Sequence, residues 1–440
     1  DETMKPSLLT SVMLALLATC PVACSSEDSS SPGSAGQAGT GAAGSGGDSG
    51  ASGAAGASAG SGGISGGGGA GASGHGGSAG NGGSAGNGSA GASGNAGATS
   101  TEPFDPGNPD GSCSAGLPGE AQLADVSSPD HVVGNGSAAS CTFAALQAAV
   151  TAGGIITFDC GAAPIAIPVT ATLSFPTNRV SVLDGGGLVT LDGGGAVQLL
   201  RFDDPDWQNN DNGLTLQRLR LVNGRATPVE AIPVRPAPCS QGYNDGEGGA
   251  LYVRNGTVRI IDSIFENNHA ANLGPDTGGG AVYLLGCKPA FIAGSTFRNN
   301  DGSNAGAVGA LHTELNVLDS LFEDNAALGF GANSDDESQC SYINNGQHEV
   351  GSGGNGGSIY SDGVGVNVSL CGVQITGSRA GAFGAALFYT SNDPDNRGSL
   401  SIVDSTITGN TQVNDWWEDG GPGISTNANV NPPVNSTITD

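Results

Sequence analysis

The stretch Gly249-Ala250-Leu251-Tyr252-Val253, followed by Ile261-Asp262-Ser263-Ile264-Phe265-Glu266-Asn267-Asn268, decides the fold because the same pair of motifs returns along the chain. Later copies occupy 280–300, 309–325, 357–378 and 384–410. Repetition of this kind is typical of a chain that folds into stacked units, each of which is too small to bury its apolar face alone.

One repeat contains three short runs of strand-forming residues, which in the first copy are 250–254, 257–262 and 263–268. These runs are shorter than ordinary helices, and no apolar period of 3.6 residues crosses them. Gly and Asn, which favour tight corners, separate the runs. Three strands joined by such corners form one coil of a parallel β-helix, whose coils stack about 4.8 Å apart. We therefore expect an all-β fold.

The repeated motifs predict which side chains stack from coil to coil. An apolar column in the core should contain Phe265, Phe297, Phe322, Ile375 and Ile407. A ladder of corner amides that bond neighbouring backbone should contain Asn268, Asn300, Asn325 and Asn410. A metal site is not expected once per coil, so we interpret as corner caps the recurring residues Asp262, Asp319 and Asp404.

The combination of G-G-A-[ILV] with F-x-x-N, present at 248–268 and 279–300, resembles the repeat of the chlamydial polymorphic outer membrane proteins. The wider class that it resembles is the right-handed parallel β-helix of the pectin-lyase-like superfamily. The resemblance covers 213–440 through the repeats, and is less clear from 141. It implies a fold and leaves function open, because that superfamily contains lyases, hydrolases, epimerases, adhesins and passenger domains.

The N-terminal part of the chain has the pattern of an export signal followed by a linker. Residues 1–24 contain a short apolar run after a basic residue, which is typical of a signal peptide. The residues before Cys24 resemble a bacterial lipobox, so we expect lipidation of Cys24, with Cys20 as the rival. Residues 25–112 are almost wholly Gly, Ala and Ser, a composition that predicts a disordered tether.

The folded part is expected to begin at residue 113. Residues 142–150 have helical spacing and precede a predicted strand at 155–159, so we interpret 113–212 as an N-terminal cap and the first coils. The β-helix repeats occupy 213–440. The last repeat stops before its corner Asn, so we expect the sequence to be truncated at the C-terminus.

The charge of the chain limits the classes of partner that it can bind. The chain has 13 basic and 41 acidic residues, with a net charge of −28. This charge argues against nucleic acid and anionic lipid as partners, and we expect membrane contact only through a lipid anchor. Nine cysteines in an exported chain suggest disulfides. The expected bonds leave Cys113 unpaired and join Cys141 with Cys160, Cys239 with Cys287, and Cys340 with Cys371.

Loops of variable length are the expected place for a functional site. They lie between the F-x-x-N corner and the next G-G-A, at 225–248, 269–278, 301–308, 326–356, 379–383 and 411–421. Stacking brings these loops to one side of the coils, and loops on a rigid scaffold commonly carry function.

The first strand of each coil carries an aromatic column. If Leu251 and its equivalents point inward, alternation places on the outside Tyr252, Tyr283, His312, Tyr360 and Phe388. Such a ladder could stack against sugars, and the alternative is that the stacked rings stabilise the sheet. The adjacent Trp416 and Trp417 are a second candidate contact for a glycan or protein, with packing over the corner as the alternative.

A candidate catalytic cluster lies two residues farther along that strand, where Glu314 and Asp362 are expected on adjacent coils. Such a pair could divide acid and nucleophile roles in glycoside hydrolysis, and with His312 and Arg254 it could support β-elimination. The alternative is that these charges only face water. Calcium is the one cofactor considered, at the acidic residues 203–206 and 335–337, although neither has a recognised spacing, and no other metal site is expected.

The first hypothesis is an exported cell-surface lipoprotein that binds an extracellular glycan or a surface protein without catalysis. The second is a polysaccharide lyase or glycoside hydrolase. Against it stands the lack of an Asp–Arg–Lys constellation, because Lys5 and Lys288 are the only lysines. The third hypothesis is a passive surface spacer.

Overall fold

The computed structural model describes residues 103–232, 240–331, 351–391, 393–413, 421 and 423–440. These ranges contain one α-helix, and their strands form parallel sheets, in agreement with the expected all-β class. No helix within them is long and apolar enough to cross a membrane. Outside the described residues lie the expected signal peptide with Cys24, the linker as far as residue 102, and also Cys239, 335–337, Cys340, Trp416 and Trp417.

The α-helix is α1 (Phe143–Ala152), and two short 3-10 turns lie at Gly119–Ala121 and Ala138–Ser140. The strands, in chain order, are β1 (His131–Gly134), β2 (Ile155–Asp159), β3 (Ile165–Pro168), β4 (Leu173–Ser174), β5 (Ser181–Asp192), β6 (Leu200–Asp203), β7 (Gly213–Val222), β8 (Leu251–Arg254), β9 (Thr257–Ile261), β10 (Ile264–Glu266), β11 (Val282–Leu285), β12 (Ala290–Ala293), β13 (Thr296–Arg298), β14 (Asp301–Gly302), β15 (Val308–Leu311), β16 (Leu315–Leu318), β17 (Leu321–Glu323), β18 (Ala326–Ala327), β19 (Ile359–Asp362), β20 (Val368–Cys371), β21 (Gln374–Thr376), β22 (Arg379–Ala380), β23 (Leu387–Thr390), β24 (Ser399–Val403), β25 (Thr406–Thr408), β26 (Thr411–Gln412), β27 (Ile424–Thr426), β28 (Asn429–Val430) and β29 (Thr437–Ile438).

The strands belong to three sheets of 17, eight and four strands. Each strand pairs in parallel with its equivalent one circuit of the chain later, as β12 does with β9 and β16. We call one such circuit a coil. The eight-stranded sheet runs from β4 through β8, β11, β15, β19 and β23 to β27, and the four-stranded sheet contains β14, β18, β22 and β26. This stacking is consistent with a solenoid.

The recurring aspartates occupy a corner of the coils. Asp262, Asp319 and Asp404 have φ angles of 46°, 48° and 49°. Short polar side chains tolerate this left-handed region, and in the intervening coils the same place is occupied by Gly294 and Gly372, which adopt it freely. The interpretation of the aspartates as corner residues is therefore confirmed.

The predicted apolar column is present in the core. The rings of Phe265 and Phe297 stack with centroids 4.8 Å apart, and those of Phe297 and Phe322 with centroids 4.9 Å apart. The register then pairs Phe322 with Ile375, and Ile375 with Ile407. All five side chains are fully buried, so the column is part of the hydrophobic core.

The amide ladder is also confirmed. Asn300 Oδ1 accepts hydrogen bonds of 3.0 Å from both the backbone N–H and the Nδ2 of Asn268. Asn325 Oδ1 accepts the same pair of hydrogen bonds from Asn300. In the next coil a serine, Ser378, takes the place of the asparagine, and its backbone N–H donates to Asn410 Oδ1. The left-handed residue of this corner lies one position earlier than the ladder, as in Asn267 and Asn299.

A cap covers the first coil. The Thr142 side chain accepts a hydrogen bond from the Ala145 N–H at the start of α1, and Gly153, with a φ of 69°, ends the helix. The apolar face of α1 is buried on the core. Cys141 and Cys160 form a disulfide beside it, which is the expected pairing.

The second disulfide corrects the expected connectivity. Cys371 bonds to Cys113, which was expected to be free, so the pairing of Cys371 with Cys340 is wrong. Cys287 is a buried free thiol, which differs from its expected bond to Cys239. The Cys113–Cys371 bond joins residues 258 positions apart, and no local pattern in the sequence encodes that separation.

The boundary between the predicted linker and the folded part also differs from the expectation. Residues 103–112, assigned to the linker from their composition, lie against the outside of the coils, where Asn108 donates its backbone N–H to the Asp319 carbonyl at 2.9 Å. The physical reason is that these residues gain their contacts from distant coils and need no core of their own.

Candidate functional site

The aromatic column is buried and does not present rings to solvent. The exposed fractions of Tyr252, Tyr283, Tyr360 and Phe388 are only 6%, 3%, 4% and 7%. Tyr252 stacks on Tyr283 with ring centroids 6.1 Å apart, and Tyr360 stacks on Phe388 at 5.4 Å. This arrangement supports the alternative in which stacked rings stabilise the sheet.

Loops and side chains from neighbouring coils cover these rings. The Arg201 guanidinium lies 4.2 Å from the centroid of the Tyr252 ring. The Tyr283 hydroxyl donates a 2.7 Å hydrogen bond to the Asp276 carbonyl. Tyr360 and Phe388 pack in a small apolar cluster with Phe383. A sugar could reach the ring faces only if these contacts opened.

The register removes His312 and Glu314 from their expected columns. Tyr283 pairs with Gly309, which in turn pairs with Tyr360, so the expected alignment is wrong by three residues at His312. The reason is steric, since a Cβ at position 309 would lie 2.9 Å from Tyr283 Cδ2. Gly306-Ala307, not Gly309-Ala310, begins this coil.

The expected catalytic cluster is therefore incomplete. Asp362 pairs with Leu311 and Thr390, and Glu314 lies beyond the end of β15. His312 remains near Asp362, because its backbone N–H donates a 2.7 Å hydrogen bond to the Asp362 carbonyl. Its exposed ring lies edge-on to Trp207, with centroids 5.7 Å apart.

Asp362 is the electrostatically unusual member of that cluster. Burial raises the pKa of its carboxyl, and the negative charge of Asp276 raises this pKa further. The Tyr360 hydroxyl donates to Asp362 Oδ2 at 3.3 Å. This carboxyl accepts a hydrogen bond from one of the covered aromatic rings, so it suits a structural role better than contact with a polymer.

A groove is present instead on the side of the coils where the variable loops were expected. Two adjoining cavities, of about 390 and 420 Å³, share the wall formed by 225–227. The first extends from Thr172 to Glu247, and the second extends as far as Leu328. Together they follow the stacking direction over several coils.

Polar side chains line the second cavity in consecutive coils. Arg225 pairs in register with His269, and His269 pairs with Asp301. Because paired strands lie about 4.8 Å apart, three coils place these side chains in a row. His269 Nδ1 and Asp301 Oδ2 are within hydrogen-bonding distance at 2.7 Å, an arrangement that orients an imidazole ring.

The first cavity is lined by Arg201, Arg225, Asp245 and Glu247. Arg201 forms an ion pair with Asp203, which also pairs with Arg254, each at 2.6 Å. The Asp245 carboxylate is oriented by backbone N–H groups of the neighbouring loop. Burial raises the pKa of the Glu247 carboxyl, and the charge of Asp245 raises it further.

We expect Glu247→Gln to change how stability depends on pH. Since the folded protein binds this proton more tightly than the unfolded chain, the free energy of unfolding falls as pH rises from the ordinary pKa of glutamate to the raised value. The variant should lack this fall. Urea unfolding of both proteins between about pH 4 and pH 8 measures the difference, and parallel curves would contradict the assignment.

Two of the acidic residues considered for calcium, Asp203 and Asp204, contact protein partners. Asp203 faces two arginines, and Asp204 accepts hydrogen bonds from the Asp206 backbone N–H and from Asn210 Nδ2. The one cluster of metal-ligating atoms among the described residues contains Cys113, Cys371 and Asp404. Its two sulfur atoms are joined in the disulfide, so it is not a metal site.

Sequence reasoning located the loop side of the coils but missed the residues of the groove. A signal was present, since His269 and Asp301 each follow directly after a ladder asparagine. Ladder neighbours in the later coils are Ala326, Arg379 and Thr411, which continue the same row. Arg225 begins the row without a preceding ladder asparagine, so only the register identifies it.

Comparison with known proteins gives no family assignment. No protein-family model matches the sequence, no curated protein matches it at a significant level, and no solved structure matches the fold at a significant level.

Proposed function

We propose that this protein binds an extended extracellular glycan in the groove, without catalysis. The observation that carries the proposal is the pair of adjoining cavities that share 225–227 and cross several coils. A groove along a stack of equivalent coils suits a polymer of equivalent units. Its hydrogen-bonding side chains suit the hydroxyl groups of sugars.

The polar character of the lining supports a carbohydrate over an apolar ligand. The Thr227 hydroxyl offers a neutral donor and acceptor, Arg225 and Asp301 offer charged groups, and His269 adds an imidazole ring. Sugars present alternating donors and acceptors around each ring, and both kinds of partner are available along the groove. The high negative charge of the whole chain favours a neutral or sparsely charged glycan.

The wider setting of this proposal comes from the sequence. We place the chain in the right-handed parallel β-helices of the pectin-lyase-like superfamily, on the strength of its repeated motifs. We also propose export by the leader, lipidation at Cys24 and a tether that holds the coils away from a membrane surface. A surface protein in place of a glycan is an outcome that the binding experiment below distinguishes.

A second candidate function is polysaccharide cleavage by lyase or hydrolase chemistry. It is favoured by the oriented His269–Asp301 pair and by the raised pKa of Glu247, because imidazole and carboxyl groups are the proton-transfer groups that such reactions use. Both features line the same groove, so a bound glycan would meet them. Release of products from a bound glycan separates this function from binding alone.

We expect Arg225→Ala and His269→Ala to weaken glycan retention roughly tenfold or more each, as for central contacts of an interface. The measurement is binding of the full chain and its variants to a glycan array, with soluble products assayed in the same wells. Arg225 and His269 each contribute to the shared groove, so both losses should appear with the same glycans.

Arg397→Ala is the matched control, because Arg397 is an exposed arginine whose Nη1 donates to the Asn427 carbonyl, and it lines neither cavity. Retention lost equally in this control would point to general charge and sink the groove assignment. Product release would favour the enzyme, and binding only to protein ligands would favour a surface partner. If the chain bound no ligand on the array, the passive surface spacer would be the remaining hypothesis.

A further inference from the structure

Residues 103–122 form a strap on the outside of the coils, along the corner that carries the recurring aspartates. The Pro103 carbonyl accepts a hydrogen bond from Arg220 at 3.2 Å. The strap then passes along the stack to Ser114, which donates its backbone N–H to Asp404 at 2.8 Å. It then turns back along the stack as far as β9, where Arg259 Nε donates to the Glu120 carbonyl at 2.6 Å.

The corner aspartates bind this strap. Asp319 Oδ1 accepts the backbone N–H of Cys113 at 2.5 Å, while its carbonyl accepts the N–H of Asn108. Hydrogen bonding to Ser114 and Asn435 lowers the pKa of the Asp404 carboxyl. Two of the three recurring aspartates therefore serve both as corner residues and as acceptors for the strap.

Under the strap lies an apolar stripe made of one residue from each coil. Register places in a row Ile261, Ala293, Leu318, Cys371 and Val403. The first four are buried, and they form a cluster with Cys113 and Ala121 of the strap that is separate from the main core. The strap residues on either side of Cys113 are exposed, so the strap is the outermost layer there.

We propose that the strap is a redox-controlled latch, in which reduction of Cys113–Cys371 lets residues 103–122 leave the coils and uncover the apolar stripe. A dithiol reductant would supply the two electrons, so that the protein disulfide becomes two thiols while the reductant becomes a disulfide. The Cys141–Cys160 bond lies at the cap and does not hold the strap.

Covalent geometry gives the latch its effect. With the bond formed, the chain upstream of Cys113 is tied to β20, six coil spacings from β2 and so roughly 30 Å along the stack at about 4.8 Å each. With the bond broken, that chain is tied only at the cap. Release would also add the extended length of the strap, up to about 70 Å at ~3.5 Å per residue, to the upstream segment.

Once the bond is broken, only noncovalent contacts hold the strap, and these are its hydrogen bonds and the small apolar cluster that includes Cys113 and Ala121. The hydrogen bonds to Asp404 and Arg259 are exposed, and the one to Asp319 is part-buried. The Gly107 N–H donates a buried bond to Thr296, and a single hydrogen bond adds little net stability. Ordering some twenty residues opposes them with a larger loss of conformational entropy. The coils keep their own ladders and core, so they do not depend on the strap.

Hydrogen exchange measured by mass spectrometry on the full chain tests the latch. The unlatched variant carries Cys113→Ser and Cys371→Ser, and the matched control carries Cys141→Ser and Cys160→Ser. We expect the unlatched variant to exchange roughly tenfold or more faster in peptides that cover 104–122. Peptides from β9, β12 and β16 should keep their protection, and the control should keep that of the strap.

Either of two results would overturn the proposal. Unchanged protection of the strap in the unlatched variant would mean that noncovalent contacts hold it. Equal loss of protection in the strap and the coils would mean that the bond supports the whole fold. Should the unlatched variant fail to fold, reduction of the folded Cys141→Ser, Cys160→Ser control with dithiothreitol provides the comparison, because Cys113–Cys371 is then the one disulfide of the described residues that it can break. None of these outcomes depends on glycan binding in the groove.

Discussion

Phe297→Ala is expected to lower the free energy of unfolding by about 3–5 kcal/mol, the usual cost of truncating a buried phenylalanine. Phe297 is fully buried, and its ring is stacked between those of Phe265 and Phe322. The substitution leaves a cavity that both neighbours line. Because each coil of such a stack is stabilised mainly by its neighbours, adjacent coils should be weakened as well.

Two comparisons isolate the cause. Phe297→Ile should cost less, because Ile375 and Ile407 already occupy this column. Phe330→Ala removes the same ring from a side chain that is 51% exposed, and it should cost below about 1 kcal/mol. Urea unfolding followed by circular dichroism supplies the values. Equal losses at Phe297 and Phe330 would show that the column does not stabilise the stack.

Asn300→Ala is expected to cost about 2–5 kcal/mol, because several buried polar groups would lose their partners at once. Asn300 Oδ1 accepts from the backbone N–H and Nδ2 of Asn268, and Asn300 Nδ2 donates to the Phe265 carbonyl at 3.1 Å. An alanine replaces none of these bonds, and water has no access to this fully buried corner.

The matched control is Asn429→Ala, in which an exposed asparagine loses one hydrogen bond, from its Nδ2 to the Arg397 carbonyl. Its expected cost is within about 0.5 kcal/mol. The same unfolding experiment measures both variants. A loss at Asn300 no larger than that at Asn429 would mean that the amide ladder sets the shape of the corner without stabilising it.

The phenylalanine column and the asparagine ladder stabilise the same coil in different ways. The phenylalanine column contributes through apolar burial, which has no preferred direction. The asparagine ladder contributes through satisfied hydrogen bonds, and it leaves unsatisfied groups behind when it is cut. Local loss at either place would also disturb the groove, since His269 and Asp301 follow Asn268 and Asn300 directly in the chain.

The groove and the strap lie at different corners of the coils and should respond to different mutations. The groove depends on the row that begins with Arg225, whose spacing comes from the stacking of coils. The strap depends on one covalent bond, a few hydrogen bonds and a small apolar cluster. Mutation of one feature should therefore leave the other intact, which makes the binding and exchange experiments independent.

The repeats determined most of the fold from sequence alone. Phe265 and its equivalents, the ladder that begins at Asn268, and the corner aspartates recur at matching places in the repeats, although loops of variable length separate the copies. Each copy forms the same local geometry. The side of the coils that carries the variable loops followed for the same reason. A local periodic pattern is readable because each residue meets its equivalent one coil away.

Only the tertiary structure decided the rest. Gly309 takes the place opposite Tyr283, which moves His312 and Glu314 out of their expected columns. Covering loops bury the aromatic rings that alternation alone would place on the surface. Cys113 bonds to Cys371 across 258 residues. The strap, residues 103–122, follows no repeat. These features depend on contacts between segments far apart in the chain, and nothing periodic in the sequence records such contacts.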